Sequence, residues 1–201
     1  MLIEVEPVVL QPEKFPVSKP PLVMPPPPPE DVTVTVTDVL WVALPSVPVT
    51  VTPSGGGGGI TNGGFETGNF NGWTTTGTTS ISSTAHSGSY SGQAGGTSAT
   101  NGDSTISQTF TIPSGATTVS FWYQVHCPDT VTYDWATATL KDNTSNTTST
   151  ILAKTCTNNA TWVKVSASVT AGHSYTLTLI SHDDNYASDP TYTLFDDVNV
   201  S

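Results

Sequence analysis

Two stretches in the second half of the chain, CPDTVTYDW and SHDDNYASDP, hold most of the residues that could do chemistry. Their carboxylate and amide oxygens suit a hard cation such as Ca²⁺, and they can also form a polar recognition surface. If both stretches lie at one end of a folded domain, they bring together Asp129, Asp134, Asp183, Asp184, Asn185 and Asp189, with His126 and His182 beside them. Turn chemistry is an equal interpretation, because Asp and Asn side chains cap turns by bonding their own backbone.

Aromatic residues are interspersed with these polar groups. A flat ring can stack on the apolar face of a pyranose, while neighbouring amides and carboxylates bind the sugar hydroxyls. In FWYQVH successive side chains alternate between the two faces of a strand, so Trp122 is expected on the outer face, away from Phe121 and Tyr123. The predicted ligand-binding residues are Trp122, Tyr133, Trp135, Asp183, Asp184, Asn185 and Tyr186.

Short strands must position these groups. Seven segments show the alternation of apolar and polar residues that is typical of strands: STISQTFTIP, TTVSFWYQVH, WATATLKD, TSTILAKTC, TWVKVSASVT, HSYTLTLISH and TYTLFDDVNV. Two weaker strands are indicated near SISST and SYSGQA, and no stretch has helical periodicity. Strands at this spacing predict an all-β antiparallel sandwich, with Ile106, Phe110 and Ile112 in one row of its core.

The first sixty residues differ in composition from the rest. Thirteen of the sixteen prolines lie before residue 54, and PPLVMPPPPPE predicts an extended spacer or disorder. The segment DVTVTVTDVLWVALPSVPVTVT has strand periodicity but too few neighbouring strands to fold alone. We therefore predict a largely disordered proline-rich leader over residues 1–54, a glycine linker over 55–60 and the folded module over 61–201.

The charge balance narrows the possible partners. The chain has no arginine, and its five lysines face sixteen acidic residues. This composition excludes nucleic-acid and anionic-membrane surfaces, which need clustered positive charge, and no apolar run is long enough to insert into a membrane. The opening residues MLIEVEPVVLQPEKF lack the basic and apolar regions of a signal peptide. We therefore expect a fragment, a mis-assigned start or a piece of a larger exported protein.

Cys127 and Cys156 are the two cysteines of the chain. They lack CxxC spacing and an adjacent ligand cluster, so the pair favours a disulfide over a metal or redox site. Such a bond would stabilise the fold by roughly 3 to 4 kcal/mol, by restricting the unfolded chain. It would also imply an oxidising compartment, and therefore a secreted or extracellular location.

Two motifs at the ends of the module, NGGFETGNFNGW and LFDDVNV, carry a family resemblance. They resemble the first and last strands of jelly-roll carbohydrate-binding modules of families 4, 9 and 22, which open with NGxFE and a Trp and close with a D-D-V strand. The segments QTFTIPSGATTVSFWYQVHCPDTVTYDWATATL and TLISHDDNYASDPTYTLFDDV are also similar to a module at the C-terminal ends of secreted bacterial peptidases and glycoside hydrolases. The resemblance covers nearly all of residues 62–201 and none of the first sixty.

The resemblance implies a calcium ion that ties the first strand to the last. The implied ligands are Glu66 and Asp196, with backbone carbonyls around Asn62 to Gly64, and with Asp197 and Asp103 in reserve. Carboxylates and carbonyls are the hard oxygen donors that Ca²⁺ prefers, and glycines let the backbone turn its carbonyls inward. Solvated acids at strand ends are the simpler interpretation of the same residues.

The predicted function is a non-catalytic, calcium-stabilised binding module. As a monomeric part of a larger protein, it would bind polysaccharide or another surface polymer and hold an attached hydrolase near its substrate. The alternative is a structural or protein-binding spacer without sugar affinity. No catalytic activity is predicted, because GSYSG has Tyr where a nucleophile elbow needs Ser, HExxH is absent, and the adjacent Asp183 and Asp184 cannot flank one glycosidic bond.

Overall fold

The computed structural model describes residues 59–201 and two short strands of the first sixty residues. The chain divides into two units, Met1–Gly57 and Gly58–Ser201. In the first unit, β1 (Val34–Thr37) pairs antiparallel with β2 (Pro48–Val51) inside the Val/Thr-rich segment. The proline-rich stretch and nearly all of the predicted glycine linker lie outside the described residues.

The second unit is an antiparallel sandwich of two five-stranded sheets. Its strands are β3 (Thr74–Thr76), β4 (Thr79–Ser82), β5 (Ser91–Gly95), β6 (Asn101–Thr111), β7 (Thr118–His126), β8 (Trp135–Asp142), β9 (Thr147–Thr155), β10 (Val163–Ser168), β11 (Ser174–Asp184) and β12 (Tyr192–Val200). One sheet has the order β10-β7-β12-β5-β4 and the other β3-β6-β11-β8-β9. The predicted fold class is therefore confirmed. None of the described residues forms a helix with the length and hydropathy of a membrane span.

Alternation along the strands builds the core between the two sheets. Ile106 and Phe110 on β6 are buried, and so is Ile112 directly after the strand, as the sequence pattern predicts. On β7, Val119 and Phe121 are fully buried and face the same core. Each large apolar side chain buried in this way stabilises the folded state by about 1.5 to 3 kcal/mol relative to an exposed side chain.

Two details of the strands differ from the sequence prediction. Strand β3 has only three residues, which is too short for an apolar–polar alternation that sequence analysis could detect. It is defined as a strand by its hydrogen-bonded pairing with β6. Strand β10 begins only at Val163, and the side chain of Val163 is 43% exposed, whereas Val165 is buried. Because β10 is an edge strand paired only with β7, its beginning has fewer neighbours to cover it.

The turn between β8 and β9 depends on Asp142. One oxygen of its carboxylate accepts hydrogen bonds from the backbone N–H groups of Thr144 (2.9 Å) and Ser145 (3.1 Å), and the other lies 2.8 Å from Nδ1 of His173. Burial raises the pKa of Asp142, but the bonds from His173, Ser145 and Thr144 outweigh it and hold this pKa well below its usual range.

This depressed pKa predicts a pH-dependent contribution to stability. Because the folded-state pKa lies below the unfolded value of about 3.9, the contribution is fully present above that pH and is lost as the pH falls toward the folded value. We expect the melting temperature of Asp142→Asn to lie below that of the wild type at about pH 5, and the difference to shrink toward pH 2. A difference that stays constant in a thermal series over this range would contradict the assignment.

Candidate functional site

The motif NGGFETGNFNGW, which the resemblance places on the first strand, instead forms a closed loop before β3. Asn62 closes it, because its side-chain Nδ2 donates to the Asn69 carbonyl (2.9 Å) and its own carbonyl accepts from the Phe65 backbone (3.1 Å) and from Trp73 Nε1 (3.1 Å). Phe65 and Trp73 enter the core, with their ring centroids 5.2 Å apart. The loop reaches the last strand through Gly63, whose carbonyl accepts from the Val198 N–H (2.9 Å).

Side chains of three acids border Gly64 beside this loop, Asp196 and Asp197 through a carboxylate oxygen and Glu66 through its Cγ methylene. A Cβ atom at Gly64 would lie 3.6 Å from Glu66 Cγ, 3.7 Å from Asp196 Oδ1 and 3.8 Å from Asp197 Oδ1. The absence of a side chain at Gly64 therefore leaves a small space bordered by acids from both ends of the domain. Asp196 Oδ1 and Asp197 Oδ1 are oxygen donors of the kind that Ca²⁺ prefers, whereas the Glu66 carboxylate is bonded to the N–H groups of Ser89 and Tyr90.

The loop between β4 and β5 also contributes to this cluster. Asp196 Oδ2 accepts from the backbone N–H groups of His86 (2.8 Å) and Ser87 (3.2 Å). Asp197 contacts His86 Nδ1 (2.6 Å) and accepts from Ser87 Oγ (2.6 Å). The Glu66 carboxylate accepts from the Ser89 N–H (3.0 Å). Burial raises the pKa of Asp196, which is fully buried, so its charge would gain from a nearby cation.

A local irregularity in β12 turns two adjacent acids toward this one loop. Neighbouring residues on a regular strand face opposite sides. Here the pairing of β12 with β7 shifts register between Asp196 and Asn199, and Asp197 has a left-handed φ of 49°. A bulge of this kind bends the strand and redirects a side chain, which explains how Asp196 and Asp197 both contact the loop at His86.

Two of the predicted metal ligands are engaged elsewhere. The carbonyl of Asn62 already accepts the two bonds described above, and its Oδ1 accepts from the Thr67 N–H (3.3 Å). Asp103 lies on β6, in the other sheet from Asp196, and its Oδ1 is 2.6 Å from Nδ1 of His182. The structure thus gathers Glu66, Asp196, Asp197 and Gly64, and leaves Asp103 apart.

The second acidic cluster forms where the β7–β8 loop, residues 127–134, meets the end of β11. Oxygen atoms of Asp129, Asp134 and Asp184 all lie within 4.8 Å of one another, and we call these residues the aspartate triad. Asp134 is fully buried, and its Oδ1 accepts from the Asp184 N–H (2.8 Å), which joins the two loops. The two stretches singled out in the sequence are therefore neighbours in space.

Several oxygen atoms in this region lack a hydrogen-bond partner. Among the described residues, buried side-chain oxygens without a partner are Asp134 Oδ2, Asp189 Oδ1, Thr191 Oγ1 and Thr100 Oγ1, and the first three belong to these two loops. An unsatisfied buried polar atom typically costs about 1–3 kcal/mol. Burial raises the pKa of Asp134; the nearby Thr191 hydroxyl and the Asp184 N–H offset this only in part, and repulsion from Asp183 and Asp184 adds to the increase. Burial also raises the pKa of Asp189, with repulsion from Asp129 as the next contribution.

The remaining members of the predicted acidic cluster have other roles. Asp183 is buried, and its two oxygens accept from the N–H groups of Asn185 (2.7 Å) and Thr191 (2.7 Å), so it shapes the loop between β11 and β12. Asp184 Oδ1 accepts from the Tyr186 N–H (3.0 Å), so turn chemistry and the aspartate triad coexist. His126 stacks on Tyr192 instead, with ring centroids 4.7 Å apart.

Two tyrosines are exposed beside the aspartate triad. Tyr133 is 56% exposed next to Asp134, and Tyr186 is 63% exposed two residues after Asp184. Because the Asp134–Asp184 bond joins their loops, both rings lie at the same end of the sandwich. We call Tyr133 and Tyr186 the tyrosine pair.

The two predicted tryptophans are covered by other side chains. Trp135 stacks on His182, with centroids 3.8 Å apart, and Lys154 Nζ lies 3.2 Å from the ring centre. These partners come from β11 and β9, the strands on either side of β8, so they flank the ring. Trp122 lies on the outer face of its sheet, where His86 stacks on it at 3.9 Å. Both tryptophans are half-buried.

A disulfide fastens the β7–β8 loop. Cys127 bonds Cys156, with 5.2 Å between the Cα atoms, and the two residues are 29 apart in sequence. The Cys156 sulfur also lies 3.1 Å from the carbonyl oxygen of Asp129. The bond is consistent with an extracellular module, and it holds the start of the loop that carries the aspartate triad.

Comparison with solved structures shows a known fold. The structure of TmCBM61 in complex with β-1,4-galactotriose is 18% identical, and the match covers 72% of this chain and 97% of that chain with a TM-score of 0.54. The domain has a jelly-roll fold of the carbohydrate-binding-module type. The CBM22-1 xylan-binding domain of Paenibacillus barcinonensis Xyn10C is 18% identical over 68% of this chain and 89% of that chain, with a TM-score of 0.45.

The K3 cleaved adhesin domain of Lys-gingipain from Porphyromonas gingivalis W83 matches at 17% identity. That match covers 71% of this chain and 99% of that domain, with a TM-score of 0.48. No protein-family model matches the chain, and no curated protein matches it.

The sequence pattern of this carbohydrate-binding-module-like domain did not reveal its β4–β5 loop as part of a site. His86 and Ser87 contact acids that are about 110 residues away in sequence. Lys154 was missed for a related reason, since only the register of β9 against β8 places it over Trp135. The left-handed Asp197 and the register shift in β12 also have no sequence period that would reveal them.

Proposed function

We propose that the domain is a non-catalytic module that binds polysaccharide or another surface polymer through the loop end that carries the tyrosine pair. The observation that supports this most is the exposure of Tyr133 (56%) and Tyr186 (63%) on two loops that the Asp134–Asp184 bond joins. Two exposed rings at one end of a domain offer flat surfaces on which a sugar ring can stack.

Polar groups beside the tyrosine pair would supply the specificity for hydroxyl groups. Asp184 and Asn185 are exposed in the same loop as Tyr186, and their side chains can accept or donate hydrogen bonds. The similar fold of TmCBM61, a protein solved with β-1,4-galactotriose, makes a neutral polysaccharide a reasonable class of ligand. As a monomeric part of an exported hydrolase, the module would raise the local enzyme concentration at a polymer surface.

Removal of the two rings should weaken binding without unfolding the domain. We expect Tyr133→Ala and Tyr186→Ala each to reduce affinity by about tenfold, since the loss of one ring contact removes roughly 1 kcal/mol or more. Affinity electrophoresis of the full chain through gels that contain soluble galactan, xylan or β-glucan measures this. Tyr90→Ala is the matched control, because Tyr90 is also exposed (38%) but lies beside Glu66 and Gly68.

The two outcomes of this experiment show whether the polymer binds at the tyrosine pair or elsewhere on the domain. If retardation of the wild type is lost in both loop variants and kept in Tyr90→Ala, the tyrosine pair is the binding surface. If the wild type is retarded and all three variants behave like it, the polymer binds elsewhere and the proposed surface is wrong.

We further propose that Glu66, Asp196 and Asp197 hold a Ca²⁺ ion around Gly64. The bound ion would supply a positive charge that fastens the first loop to the last strand. We expect calcium at 100 times its Kd to stabilise the wild type by about 2.7 kcal/mol, seen as a higher melting temperature. In Glu66→Gln this increase should become smaller. An equal increase of the melting temperature in both proteins would show that Glu66 is not a calcium ligand.

A further inference from the structure

The aspartate triad has the features of a second cation site, separate from the cluster around Gly64. Asp129 and Asp134 come from the β7–β8 loop and Asp184 is the last residue of β11, and their oxygen atoms lie within 4.8 Å of one another. Asp134 is fully buried, yet its Oδ2 has no hydrogen-bond partner, whereas its Oδ1 is bonded to the Asp184 N–H. A fully buried carboxylate oxygen without a hydrogen-bond partner, on a residue grouped with two other carboxylates, indicates a missing positive charge.

In the part of the chain that the structure describes, no basic side chain forms an ion pair with this cluster. Among residues 59–201, the ion pairs are His86–Asp197, His173–Asp142 and His182–Asp103, and none of them includes a triad member. Lys154, on the neighbouring strand β9, places its ammonium over Trp135. With Asp183 and Asp189 also nearby, the cluster concentrates negative charge where the described residues place no counter-charge.

The chemistry of the donors selects the kind of ion. The triad contains only carboxylates, without His or Cys. Hard oxygen donors suit Ca²⁺, which accepts six to eight ligands in flexible geometry, whereas Zn²⁺ sites in proteins usually include nitrogen or sulfur. The partnerless Asp189 Oδ1 offers a further oxygen in the same loop as Asp184.

We propose that Asp129, Asp134 and Asp184 bind a Ca²⁺ ion that joins the β7–β8 loop to the β11–β12 loop. The ion satisfies the free oxygen of Asp134 and removes the repulsion between the three carboxylates. It also fixes the positions of Tyr133, which directly precedes Asp134, and Tyr186, which follows Asp184 by two residues. This last consequence rests on the proposed function, whereas the ion site itself does not.

Terbium titration of the full chain tests the site. Tb³⁺ replaces Ca²⁺ in oxygen sites, and nearby tyrosines such as Tyr133 sensitise its luminescence. We expect a saturable signal that excess calcium displaces. Tyr90 lies beside Glu66 at the other proposed calcium site, so Asp134→Asn is measured in the Glu66→Gln background. There it should lose most of the remaining signal, because the amide carries no charge and turns a donor toward the ion. Asp134→Asn keeps the Oδ1 acceptor for the Asp184 N–H, so the fold should be retained.

Glu66→Gln is the matched control, because it changes a carboxylate in the other cluster and should keep the triad's signal. Asp129→Asn provides a second triad variant at a half-buried position, and circular dichroism in EDTA checks that each variant is folded. A folded Asp134→Asn and a folded Asp129→Asn that both bind terbium like the wild type would overturn the proposal.

Polysaccharide binding with and without EDTA forms a separate arm of the experiment. If the terbium signal depends on the triad and the wild type binds no polymer, the ion site stands and the proposed function fails. If the wild type binds polymer and the triad variants bind terbium normally, the ion site fails and the proposed function stands.

Discussion

Replacement of Phe65 by alanine is expected to lower the free energy of unfolding by about 3–5 kcal/mol. Phe65 is fully buried, its ring centroid is 5.2 Å from that of Trp73, and the ring lies against Gly92. A Cβ at Gly92 would come within 2.8 Å of this ring, so strand β5 offers no side chain that could fill the cavity. Chemical denaturation of the full chain measures the change.

Phe70→Ala is the matched control for this prediction. Phe70 is in the same loop, and its ring centroid is 6.0 Å from that of Phe65, but it is only half-buried. Its replacement should therefore destabilise the domain less than Phe65→Ala. Equal losses of unfolding free energy in the two variants would show that burial of Phe65 is not the main contact that holds this loop on the core.

Loss of the disulfide is the second large effect. With a sequence separation of 29 residues, the chain-entropy relation predicts that Cys127→Ala with Cys156→Ala lowers the free energy of unfolding by roughly 3.5 kcal/mol. The bond constrains the unfolded chain, and in the folded state it holds the loop that contains Asp129. Urea denaturation of the double variant beside the oxidised wild type measures the loss.

Either single substitution breaks the same bond, so each should lose most of the stability that the double variant loses. If Cys156→Ala, at the half-buried end of the bond, is as stable as the oxidised wild type, the entropic account of this disulfide is wrong. Such a result would mean that native packing alone positions the β7–β8 loop.

Much of the fold follows from the period of the strands. Alternation over β6 predicted its buried row correctly, because one face of the strand packs on the core. The short strand β3 could not be found in this way, since its three threonines have no apolar partner. The exposed start of β10 depends on its place at the edge of the sheet, which only the topology reveals.

In the candidate sites, too, the sequence indicated the segments but not the surroundings of each residue. Composition singled out the two acidic stretches, and the sandwich brings Asp129, Asp134 and Asp184 together at one end. Which acid is buried depends on strand direction and loop packing, and neither can be read from composition. The covering of Trp122 by His86 was also not predictable, because it requires the β4–β5 loop to lie over the outer face of the sheet.

Binding to polymer is the central claim, and a depletion isotherm tests it most directly. Full-length protein is mixed with insoluble cellulose, chitin, xylan and β-glucan in the presence of calcium, and the unbound fraction is measured after sedimentation. We predict saturable binding to at least one polymer, competed by the matching soluble oligosaccharide. The absence of depletion by every polymer would contradict the account and favour a structural or protein-binding spacer.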